Sequence, residues 1–388
     1  MKINFDEIID RRGSNSSKWN VQENELPLSM ADMDFKASPE IIEALSKRIR
    51  HGIFGYSDVS DEWKESIIHW WQTRHQFEIQ KEWLMFCTGV IPAISSIVRK
   101  ITTPAEKIVV LTPIYNIFFN SILNNGRVVL ECPLVEKDGR YEIDFIDLES
   151  KLSDPQTTMM ILCNPHNPIG KIWNREELEK IGELCEKHHV VVVSDEIHCD
   201  LTDPGKSYLP YASISKNCLN NSIVCVAPSK TFNLAGLQSA AIIVANEALR
   251  NKVNRAINTD EVAEPNAFAM SATIAAYHSQ YWLDELRNYI FENKKLVREY
   301  IALHIPELKV LDSEATYLLW IDCREITNDS TELVNEIRKK TGLILSSGEI
   351  YRGDGFHYLR MNTAYPRKVM IDALNRLHHA IEMIKIGG

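Results

Sequence analysis

Long apolar runs, paired cysteines and an excess of basic charge are all missing from this sequence of 388 residues. Its longest aliphatic stretch is the four valines at 190–193, far too short to span a bilayer. The opening MKINFDEIID is acidic and has no apolar core, which argues against a secretory signal and for the cytoplasm. The eight cysteines (87, 132, 163, 185, 199, 218, 225 and 323) form no CxxC pair and no metal-ligand spacing. Several lie inside apolar runs such as MMILCN and SIVCVA, so buried reduced thiols are expected, with no disulfide framework and no metal site. A formal charge of -10 excludes a nucleic acid or an anionic membrane held by bulk electrostatics, though not a local anion site. Neither HH pair (188–189, 378–379) has HExxH spacing, and GDG at 353–355 is a turn, not a dinucleotide fingerprint. No repeat or low-complexity segment is visible.

What the chain does have is rhythm. Short β-branched runs near 84–87, 107–111, 127–131, 158–162, 190–194, 222–226 and 240–244 alternate with helical patterns. Runs without polar alternation suit strands covered on both faces, so a mostly parallel seven-stranded sheet in an α/β fold is expected. Between two runs, WNREELEKIGELCEKHH places apolar residues at 178, 181, 184 and 185, a single helical stripe, with Asn174 and Glu177 spaced as a capping box. The aromatic-rich HWWQTRHQF (69–77) reads as a packed helix face. The alternation covers roughly 46–285, a large domain. Residues 282–305 form one long helical pattern leading to a smaller α+β domain (286–388), which also takes the first 45 residues and ends in a helix over about 367–384.

In open parallel sheets, ligands sit beyond the carboxyl ends of the strands. At those ends stand Gly89, opening a helix whose free N–H groups suit a phosphate; Tyr115, able to stack on a flat ring; and Asn167, held in NPHNPIG by two Asn-Pro steps. Asp195 follows the four valines, a carboxylate in low dielectric that needs a cationic partner. Lys230 follows SIVCVAPS, where apolar walls lower an amine's pKa and make it a usable nucleophile. Turn, core packing and helix capping account for each one singly. Together they describe one ligand: pyridoxal 5′-phosphate (PLP) joined to Lys230 as a Schiff base.

The segments NPHNPIG, SDEIH and SKTFNLAG, in this order and at these separations, resemble fold-type I PLP enzymes of the class I/II aminotransferase superfamily. LSMADMDFKASPEIIEAL, HGIFGYS, LVEKDGRYEID, VVSDEIHCDL and APSKTFNLAGLQ are similar to its MalY/PatB-type cystathionine β-lyase subgroup. The resemblance implies that Lys230 carries the cofactor and moves protons. It implies that Asp195 pairs with the pyridine nitrogen, Asn167 holds O3′ and Tyr115 stacks on the ring. Phosphate would be bound by Gly89, Val90, Ile91 and Ser229, with Tyr56 of a second subunit, so that the active unit is a homodimer. Arg360 in LRMN would take the substrate carboxylate. Two positions depart from the aminotransferase pattern and agree with the lyases: His198, where a tyrosine touching O3′ is usual, and Gln238, where a phosphate-binding arginine is usual. EATYLLW and GEIYRGDGFHYL match more loosely, which leaves the shape of the C-terminal loop open.

The implied reaction is α,β-elimination from cystathionine, cysteine or a related S-substituted cysteine, giving a thiol, pyruvate and ammonia. An aminotransferase is the alternative, and a lyase that also binds a transcription activator is another.

Overall fold

The computed structural model describes residues 3–387. Seven strands build the large sheet: β1 (Leu84–Cys87), β2 (Lys107–Thr112), β3 (Val128–Pro133), β4 (Thr157–Cys163), β5 (Val191–Asp195), β6 (Ser222–Val226) and β7 (Ala240–Ile243). Their order across the sheet is β1-β7-β6-β5-β4-β2-β3, with every pair parallel except those made by β7. All seven expected runs are strands, displaced at their ends by no more than two residues. They are legible because β4 to β7 are buried almost throughout, as strands covered on both faces must be. Separate apolar clusters lie on the two faces, one around Ile108, Val110, Ile161 and Val193, the other around Val109, Leu111, Met160 and Val192. The odd-even split along β2 shows the period of two directly.

The helix Arg175–Lys187 has the expected capping box. Asn174 accepts from the Glu177 amide at 2.9 Å, and the Glu177 carboxylate accepts from the Asn174 amide at 2.8 Å. In the helix Asp61–His75, Trp63, Trp70 and Trp71 are buried in the core, as expected of a packed face. All eight cysteines are free and buried.

A second, antiparallel sheet joins Lys309–Val310, Leu318–Asp322, Tyr358–Asn362 and Ser346–Ser347. The long helix Gln280–His304 and the last helix Arg367–Gly387 pack around its core with Leu319, Ile321 and Leu359. The chain's beginning reaches this unit. Leu26–Pro27 pairs in parallel with Leu343–Ile344, and the Leu28 amide donates to the Ile344 carbonyl at 2.8 Å. The expected borders at 45/46 and 285/286 both fall inside helices, Pro39–His51 and Gln280–His304, so the backbone continues in regular structure through each of them.

Candidate active site

The carboxyl ends of β1, β4, β5 and β6 converge on one cavity of about 290 Å³. The register explains the convergence. Asp195, last residue of β5, is paired with Cys163 of β4 on one side and Cys225 of β6 on the other. Its carboxylate therefore emerges between two buried thiols, an environment poor in polar partners. The Ile197 amide donates to Asp195 Oδ1 at 3.1 Å, and burial pushes the carboxyl up to about 7 despite that bond. A group in this state gains most from a cation placed against it.

The turn after β6 is the four-residue helix Pro228–Thr231, which brings Ser229 and Lys230 to the same cavity. Lys230 Nζ donates to the Ala31 carbonyl at 2.7 Å. Burial, and then the Arg360 cation, bring its pKa down to about 8, so a sizeable neutral fraction exists near neutral pH. His198 also lines the cavity. Burial first, then the Lys230 and Arg360 cations, bring it down to about 3, so its imidazole is neutral.

After β1, Gly89 stands at the N-cap of the helix Val90–Ile101, and no side chain caps that helix. Its first N–H groups, with Val90 and Ile91 on the wall, therefore point free backbone donors at the cavity. Tyr115 is half-buried on the cavity wall, its hydroxyl pushed up to about 12 by burial. The NPHNPIG turn has both Asn-Pro bonds cis and places Asn167 on the wall.

Arg360, in the strand Tyr358–Asn362, adjoins the cavity through Asn167. Its Nη1 donates to Asn167 Oδ1 at 3.2 Å and its Nη2 to the Ser29 carbonyl at 2.8 Å. The guanidinium lies 4.8 Å from the centre of the Tyr351 ring, while its buried Nε has no hydrogen-bond partner among the described residues. An arginine held on three sides with a free N–H edge is ready for a carboxylate.

Nine of the expected cofactor contacts thus share one cavity: Gly89, Val90, Ile91, Tyr115, Asn167, Asp195, His198, Ser229 and Lys230. Tyr56 is not among them; its side chain is fully exposed, away from this cavity. Three groups were missed from sequence. The Ala31 carbonyl acts through its backbone, which carries no residue-type signal. Tyr317 donates to the same carbonyl at 3.0 Å, and Tyr351 lies against Arg360. Both sit in the segments whose resemblance was looser, where a buried tyrosine was the only available sign.

A sequence profile described as aminotransferase class I and II matches residues 23–377. The chain belongs to that family. It is 41% identical to the cystathionine β-lyase PatB of Bacillus subtilis (strain 168), over 98% of this chain and all of that protein. Among solved structures it superposes on cystalysin from Treponema denticola, described as containing a pyridoxal 5′-phosphate cofactor. The TM-score is 0.96 at 34% identity, over 99% of this chain and 100% of the other. The PLP-bound C-S lyase from Staphylococcus hominis, with L-cycloserine, gives a TM-score of 0.93 at 30% identity over 98% of both chains. The residues present fit that cofactor. Asp195 lacks a counter-cation that a pyridinium supplies, the uncapped helix lacks an anion that a phosphate supplies, and Lys230 offers the amine.

Proposed function

We propose that this protein is a PLP-dependent carbon-sulfur β-lyase that cleaves L-cystathionine, cysteine or related S-substituted cysteines to a thiol, pyruvate and ammonia. The observation that carries the reading is the meeting of Lys230, Asp195 and Asn167 in one cavity beside Arg360, in a chain that matches such lyases along its whole length. When bound, the cofactor supplies an aldehyde for the amine and a conjugated ring that accepts the electron pair released at Cα.

The chain's own residues do the rest. Lys230 anchors the cofactor, and its amine, depressed toward neutrality, takes the Cα proton once free. Asp195 holds a proton on the pyridine nitrogen, and Asn167 donates to O3′. His198 offers a neutral ring beside them. Gly89, Val90, Ile91 and Ser229 bind the phosphate, and Tyr115 covers the ring. Arg360 fixes the substrate carboxylate, which orients the Cα–H bond. Loss of the proton would leave an electron pair that expels the sulfur from Cβ as a thiolate, which would take back the proton held by Lys230 to leave as the thiol; the enamine, once released, would take up water to give pyruvate and ammonia.

The active unit in this reading is a homodimer. Ile49, Ile53, Phe54 and Tyr56 form an exposed apolar stretch at the end of the helix Pro39–His51, suited to cover by a second copy that receives Tyr56 at its phosphate. Among the described residues no helix is long and apolar enough to cross a membrane. A cytoplasmic place belongs to this reading as a proposal of its own. The division into a large domain (46–285) and a small one built from both ends (1–45, 286–388) belongs to the same proposal.

The test is pyruvate release from L-cystathionine without added 2-oxo acid. A lyase turns over in its absence, whereas an aminotransferase needs that acceptor. Lys230→Ala is expected to lose at least a thousandfold in rate; wild-type turnover that depends on the 2-oxo acid, or equal activity in the variant, would overturn the reading.

A further inference from the structure

Residues 29–33 belong to no strand and bring Ala31 to the wall of the cavity, and each of their five carbonyls accepts a side-chain donor. Ser29 accepts from Arg360, Met30 from Asn362 at 2.7 Å, and Ala31 from Lys230 and Tyr317. Asp32 accepts from Asn362 at 2.7 Å and Lys18 at 3.0 Å, and Met33 from Asn233 at 2.8 Å and Arg11 at 3.1 Å. Two of these donors, Arg360 and Lys230, belong to the chemistry; the others hold the strap in place.

Behind the strap lies a quartet of charges. Lys18, with no exposed side-chain surface, sits 2.9 Å from Asp32 Oδ1 and 3.3 Å from Asp34 Oδ1. Arg11 reaches Asp32 Oδ2 at 2.8 Å and also pairs with Asp34. Trp19 Nε1 donates to Asp34 Oδ2 at 2.9 Å, and the Lys18 ammonium lies 3.9 Å from the Tyr365 ring centre. Two cations balance two carboxylates, so buried Lys18 and Asp34 are both paired, each with a half-buried partner as well. Such an arrangement fixes geometry more than it adds stability, and what it fixes is the carbonyl that receives the catalytic amine.

We propose that the Arg11–Lys18–Asp32–Asp34 quartet is a positioning element for Lys230. It holds the Ala31 carbonyl that accepts from the lysine amine when free, and it fixes the Asp32 charge near the same nitrogen when that nitrogen carries the cofactor. The proposal rests on the lyase reading for the meaning of the free amine. The charged or titratable groups facing Lys230 are Asp32 on the strap, Asp195 at the end of β5, His198 in the turn after it, and Arg360. Asp32 is the only one of them tied to the quartet.

Two variants separate grip from charge. Lys18→Met removes a cation and one of the two donors on the Asp32 carbonyl. Asp32→Asn keeps the backbone hold but removes the anion that favours a cation at Lys230. Both are purified as cofactor-loaded enzyme. The readouts are the pH midpoint of the bound cofactor's visible absorbance, together with kcat and KM. Lys18→Met is expected to lower kcat at least tenfold with KM within threefold, and to raise the midpoint. Asp32→Asn is expected to lower the midpoint. A folded, loaded Lys18→Met with kcat within twofold of wild type and an unmoved midpoint overturns the proposal. Should Lys18→Met not fold, the Asp32→Asn midpoint decides, and no shift there overturns it as well. Failure of the lyase reading looks different: wild type would bind the cofactor without releasing pyruvate, and the absorbance midpoints would still judge the quartet.

Discussion

At the scale of single residues, Asp195 ties stability to chemistry. Its carboxyl is raised from 3.8 to about 7 by burial in the folded protein, so the folded state holds that proton more tightly than the unfolded state. The resulting stabilisation is complete below about pH 4 and is lost as pH rises through about 7. Cofactor-free Asp195→Asn should therefore melt higher than cofactor-free wild type, by a margin that opens between about pH 4 and pH 7 and then stays level. A melting series across pH reads this, and a margin that does not change with pH would refute the assignment. Under the proposed function activity should run the other way, because an amide would not keep a proton on the pyridine nitrogen. Arg360 makes a second case. Lysine at this position loses the planar fork held by Asn167, Ser29 and Tyr351 and keeps one point donor. Losing one charge-assisted hydrogen bond costs about 2–3 kcal/mol. Arg360→Lys should thus lose about thirtyfold to 160-fold in kcat/KM, mostly through KM. The side chains that line the cavity were legible because each proposed role needs its residue type at a strand's end. Ala31 was not legible, because any residue offers a carbonyl.

At the scale of elements, legibility followed the range of the interactions. The large sheet was readable because its strands carry their own signal, unbroken β-branched runs, and the helix Arg175–Lys187 because its cap is local. The strap 29–33 and the two-residue strands Leu26–Pro27 and Leu343–Ile344 were not, since their partners lie hundreds of residues away. The loop in GEIYRGDGFHYL is a chain of tight turns whose shape is set by close approach. A Cβ on Gly348 would lie 2.5 Å from the Tyr358 carbonyl and 2.7 Å from the Trp320 ring, with the Gly355 carbonyl also in its way. Tyr141 pins the same loop by donating to Asp354 at 2.8 Å, and the loop carries Tyr351 to Arg360. Gly348→Ala should cost about 1–3 kcal/mol in a denaturant melt, the range for forcing extra volume into a packed site. Because the loop supports Arg360, the variant's KM should rise as well; a stability loss with unchanged KM would separate the loop from the carboxylate site.

At the scale of the whole molecule, Tyr56 is the residue whose place a single chain does not explain. Among the described residues it is the most exposed large hydrophobic side chain and stands near exposed Ile53 and Phe54, whereas the other expected phosphate contacts line one cavity. If a second copy supplies it, each site draws Lys230 from one subunit and Tyr56 from the other. That makes a complementation experiment decisive. Tyr56→Ala and Lys230→Ala should each be nearly inactive alone. Mixed, dissociated and reassociated, they form hybrid dimers in which one site keeps both native groups and the other keeps neither. At equal amounts, half of the dimers are hybrids with one good site of two, so activity should recover to about a quarter of wild type. Recovery can arise only if the two residues act across a subunit boundary, since a site built within one chain would stay broken in every combination. Mixtures that remain as inactive as the separate variants, in protein that sediments as a dimer, would confine Tyr56 to its own subunit.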